Sequence, residues 1–76
     1  MVELRFTDIG EGVNEGEITR IFYTEGKEVN EGVDLIEVET DKATVPISSP
    51  ITGKIIKIFV KEGDKVEVGD LLLTIE

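Results

Sequence analysis

One amine in this chain is placed where another protein could reach and modify it. Lys42 lies in Glu39-Thr40-Asp41-Lys42-Ala43, a tight-turn signal between two runs of strand character, Asp34 to Glu39 and Thr44 to Ser48. Only the four residues Thr40 to Ala43 separate the runs, so the connection is a hairpin turn. An Asp early in such a turn can bond its own backbone two residues on, which predicts that Asp41 fixes the turn and leaves Lys42 at its tip. A lysine there carries its amine into solvent on a long, flexible stem. The chemistry open to it is covalent attachment: joined to an acid as an amide, it would lose its charge and become a neutral arm on a two-strand base.

Other chemistries are excluded or weakly supported. The chain has no His and no Cys, which removes disulfides, Cys/His zinc sites and Ser-His or Cys-His catalytic pairs. With only scattered Ser and Thr, no nucleophile-base pair can be assembled, so no catalytic residue and no metal site is expected. Glu37, Glu39 and Asp41 alternate along one strand face and read as a solvated acidic face rather than a carboxylate metal site. Gly10, Gly12 and Gly16 nearly imitate a dinucleotide fingerprint, but the spacing is one residue too long and no βαβ unit follows.

The elements that must position Lys42 come from an internal repeat. Residues 16 to 39 align without a gap on residues 53 to 76: Gly16 meets Gly53, Ile18 meets Ile55, Phe22 meets Phe59, Glu25 meets Glu62, Gly26 meets Gly63, Val29 meets Val66, Gly32 meets Gly69 and Leu35 meets Leu72. Two similar halves packed with pseudo-twofold symmetry are expected. Alternation of apolar and polar residues predicts strands at Val2 to Phe6, Glu17 to Tyr23, Asp34 to Glu39, Thr44 to Ser48, Lys54 to Val60 and Leu71 to Ile75, with very short ones around Val29 and Val66. No helix is expected, and eight short strands with close turns make a small sandwich or flattened barrel. As repeat mates, Phe22 and Phe59 are predicted to pack together near the twofold axis. Gly32-Val33 replaces the Gly69-Asp70 of the second half, which predicts a change local to that turn.

Seventy-six residues make one domain, 1–76, near the lower limit for a self-sufficient core. Its formal charge is -9; residues 1 to 42 hold twelve acids and four bases, residues 43 to 76 five and four. Such a field repels phosphate backbones and favours a basic protein surface over nucleic acid as partner. The first residues show neither a leader nor an apolar span, and a soluble chain in a reducing cytosol is expected, or the mitochondrial matrix in a eukaryote.

Five segments together carry a family resemblance: Asp8-Ile9-Gly10-Glu11-Gly12, Glu15-Gly16-Glu17-Ile18, Glu37-Val38-Glu39-Thr40-Asp41-Lys42-Ala43, Ser49-Pro50-Ile51-Thr52-Gly53 and Gly63-Asp64-Lys65-Val66. Over its whole length the chain resembles the lipoyl domain of 2-oxo acid dehydrogenase acyltransferase components. The resemblance implies an all-β flattened barrel of two four-stranded antiparallel sheets, with lipoic acid in amide linkage on Lys42 as N6-lipoyl-lysine. It implies recognition by way of Asp41, Ala43, Gly10, Glu11, Gly12 and Glu15. The implied partners are a thiamine-dependent decarboxylase, an acyltransferase core that delivers the acyl group to coenzyme A, a dihydrolipoyl dehydrogenase, and a lipoate-protein ligase or lipoyl transferase. The domain, a monomer in isolation, would be a carrier and not itself an enzyme. A biotin carrier uses a lysine at the same hairpin, but methionines normally flank it, where this chain has Asp41 and Ala43. The glycine-cleavage carrier is a longer chain, and the lipoyl-like hairpins of membrane fusion proteins usually lack the lysine.

Overall fold

The computed structural model describes residues 1–7 and 12–76. Among them the chain forms eight strands and no helix: β1 (Val2–Arg5), β2 (Glu15–Ile21), β3 (Glu28–Val29), β4 (Asp34–Glu39), β5 (Thr44–Ser48), β6 (Gly53–Ile58), β7 (Lys65–Glu67) and β8 (Leu71–Ile75). They pair antiparallel into two four-stranded sheets, ordered β1-β8-β6-β3 and β5-β4-β2-β7. The expected flattened all-β sandwich is therefore the observed one. The repeat maps one sheet onto the other, with β6 answering β2, β7 answering β3 and β8 answering β4.

The symmetry reaches individual hydrogen bonds. Gly26 N donates to Ile55 O at 2.8 Å and Gly63 N to Ile18 O at 2.7 Å; Phe22 N donates to Leu35 O and Phe59 N to Leu72 O, both at 2.9 Å. The two turn glutamates serve as paired acceptors: Glu62 Oε2 takes the Ile21 amide at 3.0 Å and Glu25 Oε2 takes the Ile58 amide at 2.9 Å. Each carboxylate thus satisfies a backbone donor at the end of a strand from the other half.

The core is built of repeat mates: Ile18 with Ile55, Val29 with Val66, Leu35 with Leu72, Ile36 with Leu73 and Val38 with Ile75, joined by Phe6 and Val13. Strict alternation would not bury Leu35 beside Ile36, or Leu72 beside Leu73. Register shifts between Asp34 and Ile36 in β4, and opposite Leu4 and Arg5 in β8, resolve this by inserting one extra residue in each strand. Matching shifts at Thr19 in β2 and Ile56 in β6 add twist, which lets two short sheets wrap one core.

Phe22 and Phe59, expected to pack together near the twofold axis, are 45% and 46% exposed. The alternation explains it, because Ile21, Tyr23, Ile58 and Val60 on either side pack against the core and turn the intervening rings outward. Lys57 Nζ lies 5.2 Å from the Phe59 ring centroid and covers part of that ring. The Val33 change is local: Val33 N still donates to Asn30 O at 3.2 Å, as Asp70 N does to Glu67 O at 3.0 Å. What the first half loses is the bond from Glu67 N to Asp70 Oδ2, 2.8 Å, which Val33 cannot reproduce.

Removing either turn carboxylate, by Glu25→Ala or Glu62→Ala, is expected to cost about 1 kcal/mol in urea unfolding, while the Gln variants, which keep an acceptor oxygen, lose less.

Candidate functional site: the lysine turn and its groove

β4 and β5 pair up to Glu39 opposite Thr44, so only Thr40 to Ala43 project beyond the ladder. Pro46 stands in β5 opposite Glu37, a position open to proline because β5 is the outer strand of its sheet. Val38 is buried and Val45 packs against the core, which anchors both legs of the hairpin just below the turn. Lys42 is exposed at the tip, with Asp41 and Ala43 exposed beside it.

The turn is closed by Thr40 and not, as the sequence suggested, by Asp41. Thr40 N donates to Ala43 O at 2.8 Å. The Thr40 hydroxyl donates to the same carbonyl at 2.7 Å and accepts from Lys42 N at 3.2 Å and Ala43 N at 3.0 Å. A threonine hydroxyl at the first position of a turn can act as an aspartate does, and the better-known capping habit of Asp drew attention to the wrong residue.

Gly16 holds the base of the turn against its neighbour strand. A methyl group at that position would lie 2.5 Å from Val38 Cγ1 and 3.0 Å from Glu39 O. Its repeat mate Gly53 presses against the Glu76 backbone in the same way. The strand read from sequence begins at Glu17, whereas Gly16 already lies within β2 and allows the close approach of β2 to β4.

Beside the turn runs an open groove lined by Gly12, Glu15 and Gly16 on one side, Thr40 and Asp41 on the other, and Lys65 from β7. The structure thus brings together three of the expected recognition residues, Gly12, Glu15 and Asp41. Gly10 and Glu11 lie outside the described residues. Glu17 stands opposite both Glu39 and Lys65 in adjacent strand pairs, so a cation sits next to an acidic pair on the solvent face. Lys65 and Thr40 were not singled out from sequence; only the fold brings β7 alongside β2. The three alternating carboxylates do not converge: Glu37 is half-buried and accepts from Thr19 Oγ1 at 3.0 Å, while Glu39 and Asp41 face solvent. Among the described residues no cluster of His, Cys, Asp or Glu is arranged to hold a metal ion, and no helix is long and apolar enough to cross a membrane.

A small twofold sandwich presenting one exposed lysine on a hairpin is the architecture of a domain that carries a prosthetic group. The family profile described as "Biotin-requiring enzyme" matches residues 2–75. The chain belongs to this biotinyl- and lipoyl-domain family, and it is of the lipoyl type found in acyltransferase components. It is 41% identical over 76 residues to the dihydrolipoyllysine-residue acetyltransferase component of the pyruvate dehydrogenase complex of Acholeplasma laidlawii, covering 100% of this chain and 14% of that protein. The corresponding component from Bacillus subtilis is 43% identical over 74 residues, covering 97% of this chain and 17% of the relative. The chain therefore spans about a sixth of the length of these relatives. Among solved structures, the lipoyl domain of the 2-oxoglutarate dehydrogenase complex of Azotobacter vinelandii superposes with a TM-score of 0.78 at 26% identity, covering 97% of this chain and 96% of that domain. The urea carboxylase of Kluyveromyces lactis contains a similar unit, with a TM-score of 0.74, 28% identity, and coverage of 100% of this chain and 7% of that one.

Gly16→Ala is expected to destabilise the domain by about 2 kcal/mol, because backbone and a buried valine must move to admit the methyl group. Gly12→Ala meets nothing within 4 Å but sits at a φ of +74°, so its cost is backbone strain alone, about 1 kcal/mol. Denaturant midpoints of the two variants check the order.

Proposed function

We propose that Lys42 is the attachment lysine of a lipoyl carrier domain comprising residues 1–76, and that this domain is part of a longer acyltransferase chain of a 2-oxo acid dehydrogenase complex. The observation that carries the reading is the exposed amine at the tip of a turn tied to two core-anchored strands. A primary amine free in solvent at the end of a long stem suits amide formation with the carboxyl of lipoic acid. When attached, the dithiolane would supply acyl and electron transfer. The protein's part is to hold the arm on a rigid base and keep it at high local concentration near successive active sites.

Two observations favour lipoate over biotin. The relatives matched over the whole chain are named for a dihydrolipoyllysine residue. The residues flanking Lys42 are Asp41 and Ala43, not the methionines of biotin carriers. Asp41 and Ala43 frame the lysine for the modifying enzyme, and the segment from Gly10 to Gly16, with Glu11, Gly12 and Glu15, is the surface read by the thiamine-dependent decarboxylase. The groove that joins Gly12 and Glu15 to Asp41 supports treating the turn and these two residues as one surface. Its acidic character suits partners with a basic face. Further partners of the assembly are the acyltransferase core, dihydrolipoyl dehydrogenase and a lipoate-protein ligase or lipoyl transferase, and the setting is the cytoplasm.

Incubation with a lipoate-protein ligase, ATP and lipoate, followed by intact mass and peptide mapping, is expected to add one lipoyl group at Lys42 and none to Lys42→Ala. Biotin ligase with ATP and biotin is expected to leave the mass unchanged. Biotinylation in place of lipoylation would overturn the assignment.

A further inference from the structure

We propose that Thr40 is a positioning residue for enzymatic modification of Lys42, a role that rests on the carrier reading above. Among the described residues no residue other than glycine has positive φ, so the four residues Thr40 to Ala43 close this hairpin with ordinary backbone, as loops of that length commonly do. One backbone bond, from Thr40 N to Ala43 O, spans the loop. The Thr40 hydroxyl adds the remaining ties, and its three bonds, to Ala43 O and from the amides of Lys42 and Ala43, use its one donor and both acceptor sites.

The aim of the hydroxyl is set from the neighbouring strand. Thr40 Cγ2 lies 3.4 Å from where a Gly16 side chain would begin, which seats the methyl beside β2 at Gly16. A β-branched residue has few alternative rotamers, and seating the methyl directs the oxygen into the turn. The chain of positioning therefore runs from the Gly16 backbone to the Thr40 methyl, through the hydroxyl to the Lys42 amide, and so to the direction in which the lysine stem leaves the turn. In the ligase reaction the neutral amine attacks the carbonyl of an ATP-activated lipoyl group, the nucleotide leaves and the amine loses a proton. That attack depends on the direction of the stem, since small misplacements of a reacting atom are costly.

The test compares the intact domain with Thr40→Val, which keeps the shape and removes the hydroxyl, and Thr40→Ser, which keeps the hydroxyl and removes the methyl. With lipoate-protein ligase, ATP and lipoate, Thr40→Val is expected to lose about tenfold in kcat/KM, mostly in kcat, while Thr40→Ser recovers most of the rate. Thermal unfolding of each variant is followed alongside to separate positioning from loss of fold. In the wild type, the Lys42 and Ala43 amides are expected to exchange with solvent more slowly than the Asp41 amide, a measurement independent of any variant. Modification of folded Thr40→Val at the wild-type rate, or unprotected exchange at Lys42 and Ala43, would overturn the role of Thr40 while leaving the carrier reading intact. A wild-type domain that takes no lipoate would overturn both.

Discussion

Neither repeat half completes a sheet of its own. β3 of the first half hydrogen-bonds to β6 of the second, β7 of the second hydrogen-bonds to β2 of the first, and the amides of Ile21 and Ile58 are accepted by glutamates from the opposite half. For so short a chain this exchange gathers the buried side chains of both halves into one core, where either alone would have too little apolar surface to fold. The bulges at Leu35 and Leu72 belong to the same solution. They turn two adjacent residues inward on each of two strands and so fill a core that alternation alone would leave thin.

The lysine turn is anchored in that frame. β4 lies between β5 and β2 in its sheet, and β2 is held in turn by β7 from the other half. Gly16 brings β2 against the last residues of β4, and Thr40 carries that contact into the turn. An amine on a long stem has many conformations, but here its starting point is fixed by bonds on both sides of it. Around this starting point lies a surface of Glu15, Glu17, Glu39 and Asp41 with Lys65 among them, so one end of the sandwich presents charge of one dominant sign.

Most of the frame was legible in the sequence because symmetry doubles every signal: Ile18 and Ile55, or Val29 and Val66, each vouch for the other's inward position, and even two-residue β3 was located by its mate. Lys42 stood out because its turn lies between clear strands. What escaped was geometry that depends on neighbours distant in sequence. Gly16 reads as a loop glycine until β4 is known to pass against it, and Lys65 reads as an ordinary turn lysine until β7 is placed beside β2. Symmetry pairs Phe22 with Phe59, while the periodicity of Ile21, Tyr23, Ile58 and Val60 turns both rings toward solvent. Thr40 was overlooked because Asp and Thr compete for the same capping role, and only hydrogen-bond geometry decides between them.

If the fold, and not the local sequence alone, presents the lysine, the decisive comparison is between the domain and its own hairpin. A peptide of residues 34–48 retains Glu39-Thr40-Asp41-Lys42-Ala43 but lacks β2, Gly16 and the core, and an isolated two-stranded hairpin is only marginally ordered in water. The measurement is the rate of lipoylation of peptide and domain by the same ligase at equal concentration. The account predicts a domain modified about a hundredfold faster than the peptide, the scale expected for loss of a fixed reacting geometry. Equal rates would contradict it and place recognition in the linear sequence around Lys42.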